Sequence, residues 1–221
     1  MDYSSLWITF KLSFIVTVLL LVVVIPMVYW MKNLSGYTKI FIESLVNMPL
    51  VLPPTVLGFY LLLAFGSQSE LGLWFKDSLG VSFVFSFEGI VFASLIYSFP
   101  FMINPILNAL KQLPSHLEEA AFTIGKSKWE AFRYVLLPNI YPAIWVGVAM
   151  TFAHTVGEFG VILMIGGSIP EVTQVASIAI YNNVEQLNYS AANELAFILF
   201  SFSFLILLFV NLINKRMVKL I

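Results

Sequence analysis

Apolar residues run along this chain in stretches too long for the core of a soluble domain, and polar positions gather between them. A membrane-spanning helix needs about 20 mostly apolar residues. Five stretches qualify: residues 6–30, 40–65, 89–110, 138–165 and 195–213. The first has an uncharged centre at residues 14–25 and is preceded by Lys11, as in a signal peptide. It is too long for one, and bulky Met27-Val28-Tyr29-Trp30 stands where small residues would mark cleavage, so it reads as a retained span. Inside lipid every backbone polar group must be satisfied within the segment, so all five are expected to be helical. The second holds Pro49, Pro53 and Pro54, and the third Pro100 and Pro105. The carbonyls these prolines free must face protein or a wet cavity, which makes them either lining for a path or kinks packed on neighbours.

The polar segments give the orientation. Lys32 and Lys39 follow the first span, Lys111, Lys126, Lys128 and Arg133 follow the third, and Lys215, Arg216 and Lys219 follow the fifth. With five alternating spans these nine cations share one side, against Lys76 and a snorkelling Lys11 on the other. The N-terminus is therefore expected outside and the C-terminus in the cytoplasm. The outer loops, residues 66–88 and 166–194, carry Glu70, Asp77, Glu88, Glu171, Glu185 and Glu194. Loops of this length are either docking surfaces or solvated connectors, and residues 173–182 suit a short interfacial or re-entrant helix.

Composition agrees. Of 221 residues 60% are hydrophobic and 10% charged, where about 25% charged is usual. The net charge of -1 gives nucleic acid nothing to hold. The absence of cysteine removes disulfides, thiolate nucleophiles and Cys-ligated metals. The reading is an all-α integral membrane protein, one transmembrane domain over residues 1–221, embedded in lipid.

The most polar stretch, residues 111–137, lies between the third and fourth spans on the Lys-rich side. Ser115 and Glu118 have capping-box spacing after Pro114. Leu117, Ala120, Ala121 and Ile124 recur at helical spacing, and Gly125 is placed to stop the helix. A second short helix is expected over residues 128–136, leading into Pro138. Gly125-Lys126-Ser127 ends like a phosphate-binding loop, but Ala120 stands where GxxxxGK[ST] needs glycine. The chain therefore cannot cradle a nucleotide, and no cofactor of its own is expected.

Here the residues carry a family resemblance. Glu119-Ala120-Ala121, three residues, Gly125, nine residues, then Val135-Leu136-Leu137-Pro138 resembles the EAA loop of type I ABC importer permeases, with Val135 where isoleucine is commoner. The resemblance implies that Glu119, Ala120, Ala121, Gly125, Leu137 and Pro138 form a coupling helix seated in a cytoplasmic ATPase. It also implies a homodimer of permeases, two ATPase subunits that bind the ATP, and an extracytoplasmic binding protein. Asn47-Met48-Pro49-Leu50-Val51-Leu52-Pro53-Pro54-Thr55-Val56-Leu57-Gly58-Phe59 is similar to the second-span motif of molybdate permeases. So are Gly157-Glu158-Phe159-Gly160, Met164-Ile165-Gly166-Gly167-Ser168-Ile169-Pro170 and Ile178-Ala179-Ile180-Tyr181, with Ser168 in place of Asn and Glu171 in place of the Gly that often follows the proline. Sulfate permeases share the GEFG element and the coupling loop, and nothing separates molybdate from tungstate. The implied function is transport of such an oxyanion inward by alternating access, with Pro53, Pro54, Gly157, Glu158 and Gly160 as candidate pathway or gate residues.

His154 and Glu158, four apart, are expected on one face of the fourth span. Two ligands fall short of a metal site, and an intramembrane enzyme built on them would need further polar groups at that depth. A mid-membrane carboxylate costs about 3 kcal/mol, so Glu158 should face the bundle interior, paired or neutral, bracing helices or a gate through hydrogen bonds. Glu43 is expected to reach the interface toward Lys39. So few cations in the spans predict a weakly binding path, with selectivity left to the outside binding protein.

Overall fold

The computed structural model describes residues 3–218, and these are all-helical and turn, with no strand among them. Helix α1 (Ser4–Lys32) packs one face against the later helices, chiefly the fifth and ninth. Leu12, Val16, Leu20, Val24, Val28 and Met31, one helical stripe, are almost fully buried, while Trp7, Phe14 and Val22 point outward. At 1.5 Å per residue its 29 residues are long enough to cross a bilayer.

The second apolar stretch is not one helix. It divides into α2 (Gly36–Val51) and α3 (Pro54–Phe65), which meet at 108°. Leu52 makes the last bond of α2, to the Met48 carbonyl, and Leu52 and Pro53 are extended. Pro53 and Pro54 have no N–H to continue the ladder, so the chain turns and restarts with Pro54 in the first helical position. An outer-loop helix, α4 (Glu70–Leu79), is capped by Ser69, whose hydroxyl accepts from the Gly72 N–H. Helix α5 (Phe87–Gln112) stays continuous through Pro100 and Pro105 and packs along α1 and the later helices.

Residues 115–139 form a hairpin, α6 (Ser115–Thr123), α7 (Lys128–Ala131), a π-turn at Phe132–Leu136 and α8 (Leu137–Asn139). The fourth apolar stretch is also interrupted. Helix α9 (Tyr141–Val156) leaves the preceding segment at 72°, ends at Gly157, and is followed by the separate α10 (Gly160–Gly166). An outer helix, α11 (Ala176–Glu185), begins where Thr9 of α1 accepts the Ala176 N–H at 2.8 Å. Helix α12 (Tyr189–Val218) closes the bundle against α9 and α11. Among the described residues three helices are long and apolar enough to cross a membrane, or up to five if each bent pair counts as one span.

The two ends of the bundle differ in charge. At one end Tyr3 donates to Glu194 at 3.0 Å, and Lys11 sits over the Phe87 ring. The other gathers Lys32, Lys39 and Lys111 with the hairpin and its Lys126, Lys128 and Arg133. Lys215 and Arg216 lie on α12, and Lys219 lies outside the described residues.

Candidate coupling hairpin and broken-helix junction

The hairpin is built from local rules that its sequence satisfies almost completely. Gly125 takes φ +78° and stops α6 in a double closure: its own N–H bonds to the Phe122 carbonyl at 2.9 Å and the Lys126 N–H to the Ala121 carbonyl at 3.0 Å. Ser115 does not cap α6. The helix starts directly after Pro114, which makes Ser115 its first turn rather than its cap, and Glu118 instead pairs with Lys32 on α1. The capping box stands one helix later, at Ser127 and Glu130: the Ser127 hydroxyl accepts from the Glu130 N–H, and the Glu130 carboxylate accepts from the Ser127 N–H at 2.9 Å. Those bonds, with the Ser127 hydroxyl and Lys126, hold the Glu130 carboxyl below its ordinary range.

The second arm widens into a π-turn before Pro138, with the Leu137 N–H reaching back five residues to the Phe132 carbonyl. Asn139 Nδ2 donates to the Val135 carbonyl at 2.7 Å, satisfying one of the acceptors there. Tyr29 of α1 meets both Trp129 and Phe132 with ring centroids 5.0 Å apart. The hairpin is thus anchored on α1 by one ion pair and an aromatic cluster. Glu119 and Ala120 face outward and Ala121 is buried, so the small-residue pair divides between the two sides of α6. Phe122, Ile124 and Trp129 are also open, Ile124 at 75%. An apolar surface of this kind at the Lys-rich end is shaped to be covered.

The junction is built differently. Pro54 and Gly160, far apart in sequence, are brought together: a Cβ on Gly160 would lie 3.2 Å from the Pro54 ring and 3.3 Å from Thr55 Cγ2. One turn on, a Cβ on Gly58 would lie 2.7 Å from Met164 Cβ and 3.1 Å from the Val161 backbone. The two half-helices α3 and α10 approach this closely only because these positions lack side chains. Gly157 has no such neighbour and serves as the cap where α9 ends.

This break corrects the expectation that His154 and Glu158 share a helical face. His154 is in the last turn of α9, its Nδ1 2.9 Å from Ser98 Oγ and its ring stacked 3.9 Å from that of Phe101. Ser98 also shares a 2.9 Å hydrogen bond with Thr155. Glu158 lies beyond the helix end, 4% exposed, and the buried Ser94 hydroxyl is the side chain that faces its carboxylate. Its brace is the main chain instead, because its carbonyl accepts from Ser177 of α11 at 2.6 Å. Glu43 likewise departs from the expected helical neighbour Lys39 and pairs across to Lys111 of α5 at 2.8 Å. In the outer loop Glu171 holds φ +63°, a left-handed conformation that explains why glycine suits that position in the resembling family.

Residues 24–219 match the family described as the binding-protein-dependent transport system inner membrane component. The chain is 41% identical over 207 residues to the molybdenum transport system permease protein of Azotobacter vinelandii, covering 93% of this chain and 91% of that protein. It is 36% identical to the probable sulfate transport system permease protein of Chlorella vulgaris, covering 77% of this chain and 64% of that one. Its fold is similar to that in a crystal structure of a bacterial alginate ABC transporter in complex with an alginate pentasaccharide-bound periplasmic protein, with TM-score 0.78, 20% identity, and coverage of 98% and 79%. The chain belongs to the family of inner membrane components of binding-protein-dependent transport systems. It is a permease subunit of such a system rather than an enzyme.

Proposed function

We propose that this chain imports molybdate, or its near twin tungstate, as one half of a permease homodimer in the inner membrane. Its N-terminus is outside and its C-terminus cytoplasmic. The observation that carries the cargo is the 41% identity, spread over nine-tenths of both chains, with a molybdenum permease. Two cytoplasmic ATPase subunits bind the ATP and grip the hairpin through Glu119, Ala120 and the open Phe122 and Ile124. An outside binding protein presents the anion. The hairpin is tied to α1 by Lys32–Glu118 and Tyr29–Trp129, so a displacement of α6 is passed to that whole helix. The α3–α10 junction, with Pro53, Pro54, Gly157, Glu158 and Gly160, is the element that changes arrangement between outward-open and inward-open states.

A second reading, sulfate, is supported by the sulfate permease relative, which matches less of this chain and at lower identity. Uptake into vesicles by the reconstituted complex with its cognate binding protein decides between them. Labelled molybdate uptake that excess molybdate and tungstate abolish, and that equal sulfate leaves in place, is the expected outcome. Sulfate competing as well as molybdate would give the second reading. No uptake without ATP, and no tight molybdate binding by the permease alone, complete the expectation.

A further inference from the structure

At the Lys-rich end, where α1, α2 and α5 come together, Lys32, Lys39 and Lys111 line one cavity of about 260 Å³ over Leu107 and Leu110. A neighbouring cavity of about 270 Å³ shares Leu107 and Lys111 and is walled by Glu43, Asn47, Asn104 and Asn108. Two of the three lysines are paired, Lys32 with Glu118 and Lys111 with Glu43. Lys39 is half-buried and has no ion pair among the described residues. Three ammonium groups against two carboxylates leave one positive charge in excess. The amides are only partly used: Asn47 donates to the Glu43 carbonyl and Asn104 to Asn47 Oδ1, each at 2.7 Å, and Asn108 is exposed at the rim.

We infer that these adjoining cavities bind a tetrahedral oxyanion, held by Lys32, Lys39 and Lys111, with Asn108 at the rim outside those contacts. Ammonium and amide N–H donors around a small chamber suit a compact anion with acceptors on every side, and a phosphate-sized ion fits the space. The same chemistry is offered by two sources at this depth: the transported oxyanion leaving on the inner side, or the phosphate of an anionic lipid headgroup. The site rests on the proposed function only in placing this end at the cytoplasmic face. An anion here competes with Glu43 and Glu118 for the ammonium groups they hold. Since Lys32–Glu118 is one of the ties that fix the hairpin on α1, occupancy of the cavity weakens that tie.

The chain has no cysteine, so Asn108→Cys places a single thiol at the rim. Its reaction with a neutral maleimide is followed on this chain in the reconstituted permease–ATPase complex, in phosphatidylcholine vesicles with the inner face accessible. Millimolar molybdate and millimolar inorganic phosphate should each slow the reaction about fivefold, the factor 1 + [L]/Kd reached when the anion is at about four times its dissociation constant. Adding Lys39→Gln should abolish that protection, and adding Glu118→Gln should lower the half-protecting concentration by removing a competitor. If lipid is the source, the reaction is already slow in vesicles containing phosphatidylglycerol, and Lys39→Gln restores it. Equal rates under all these conditions, or protection that survives Lys39→Gln, overturns the site. Protection by phosphate without molybdate uptake would sink the cargo reading alone, and uptake without any protection would sink this site alone.

Discussion

The hairpin and the α3–α10 junction are both short helices at breaks in the apolar pattern, yet they are held in opposite ways. The hairpin is exposed and hydrogen-bonded at nearly every terminus: a double closure at Gly125, a capping box at Ser127 and Glu130, an ion pair to Lys32. The junction is held mainly by contact, glycine against proline and glycine against methionine, with a single hydrogen bond from Ser177 to the Glu158 carbonyl beside it. Directional bonds fix one geometry and lose energy steeply when bent. Close apolar contact between two half-helices allows a second packing in which they slide or part. On the proposed function, the hairpin is then the rigid handle and the junction the part that moves.

The largest effect should come from filling the junction. Gly58→Val places a Cβ at 2.7 Å from Met164 Cβ and 3.1 Å from backbone atoms of Val161, which cannot both give way. Overpacking of this kind costs about 1–3 kcal/mol. Uptake should be lost and the thermal midpoint of the purified complex should fall, whereas Gly58→Ala should lose less of both. Full uptake in the valine variant would show that α3 and α10 need not be close, and the contrast with the hairpin would go.

Next is Gly125→Val. No atom lies within 4 Å of a Cβ there, so the whole penalty is the left-handed backbone, about 1–2 kcal/mol, concentrated in one turn. The variant should assemble, but its ATPase should respond weakly to the loaded binding protein. Gly125→Asn, which tolerates this conformation, should recover most of the response. Equal stimulation in all three proteins would remove the turn from the coupling.

Glu158→Gln tests what the buried carboxylate contributes. The brace to Ser177 runs through the main-chain carbonyl and survives the change. Assembly should be unchanged and part of the uptake retained. Complete loss of uptake with normal assembly would mean that the carboxylate itself works in the path, and the junction would act through more than its packing.

The sequence shows some of this and hides the rest for identifiable reasons. Uninterrupted apolar runs mark α1, α5 and α12, because length and the absence of charge are enough to identify a crossing helix. Pro53 and Pro54 announce a break, but not its 108° angle, which depends on Gly160 and Gly58 being available on the other half-helix. Periodicity placed Glu158 beside His154 because a four-residue spacing carries no sign that the helix ends at Gly157. Gly125 is readable from its position alone. The capping box is readable too, since Ser127 and Glu130 have the same spacing as Ser115 and Glu118, and what decides between them is that Pro114 starts α6 one residue too early for Ser115 to cap it. The ties of Lys32 to Glu118 and of Glu43 to Lys111 are tertiary, and no local pattern announces them.

The smallest effect probes the hairpin's rigidity directly. The Glu130 carboxyl is lowered from its ordinary 4.5 first by the Ser127 N–H, then by the Ser127 hydroxyl and Lys126. A depressed carboxylate contributes stability that is fully present above its unfolded value and is lost as the pH falls through the folded one. Protection of the Ser127 and Glu130 amides from hydrogen exchange should accordingly be constant from neutrality down to about pH 5, then fall on further acidification after correction for the intrinsic rate. Glu130→Gln keeps a side-chain acceptor for the Ser127 N–H but does not titrate, so its protection should start lower and stay flat with pH. The Gly125 closure contains no titratable group, so the Lys126 amide should remain protected throughout. If Lys126 opens together with Ser127 and Glu130, the hairpin unfolds as one unit rather than loosening at one cap, and the handle is less rigid than its hydrogen bonds imply.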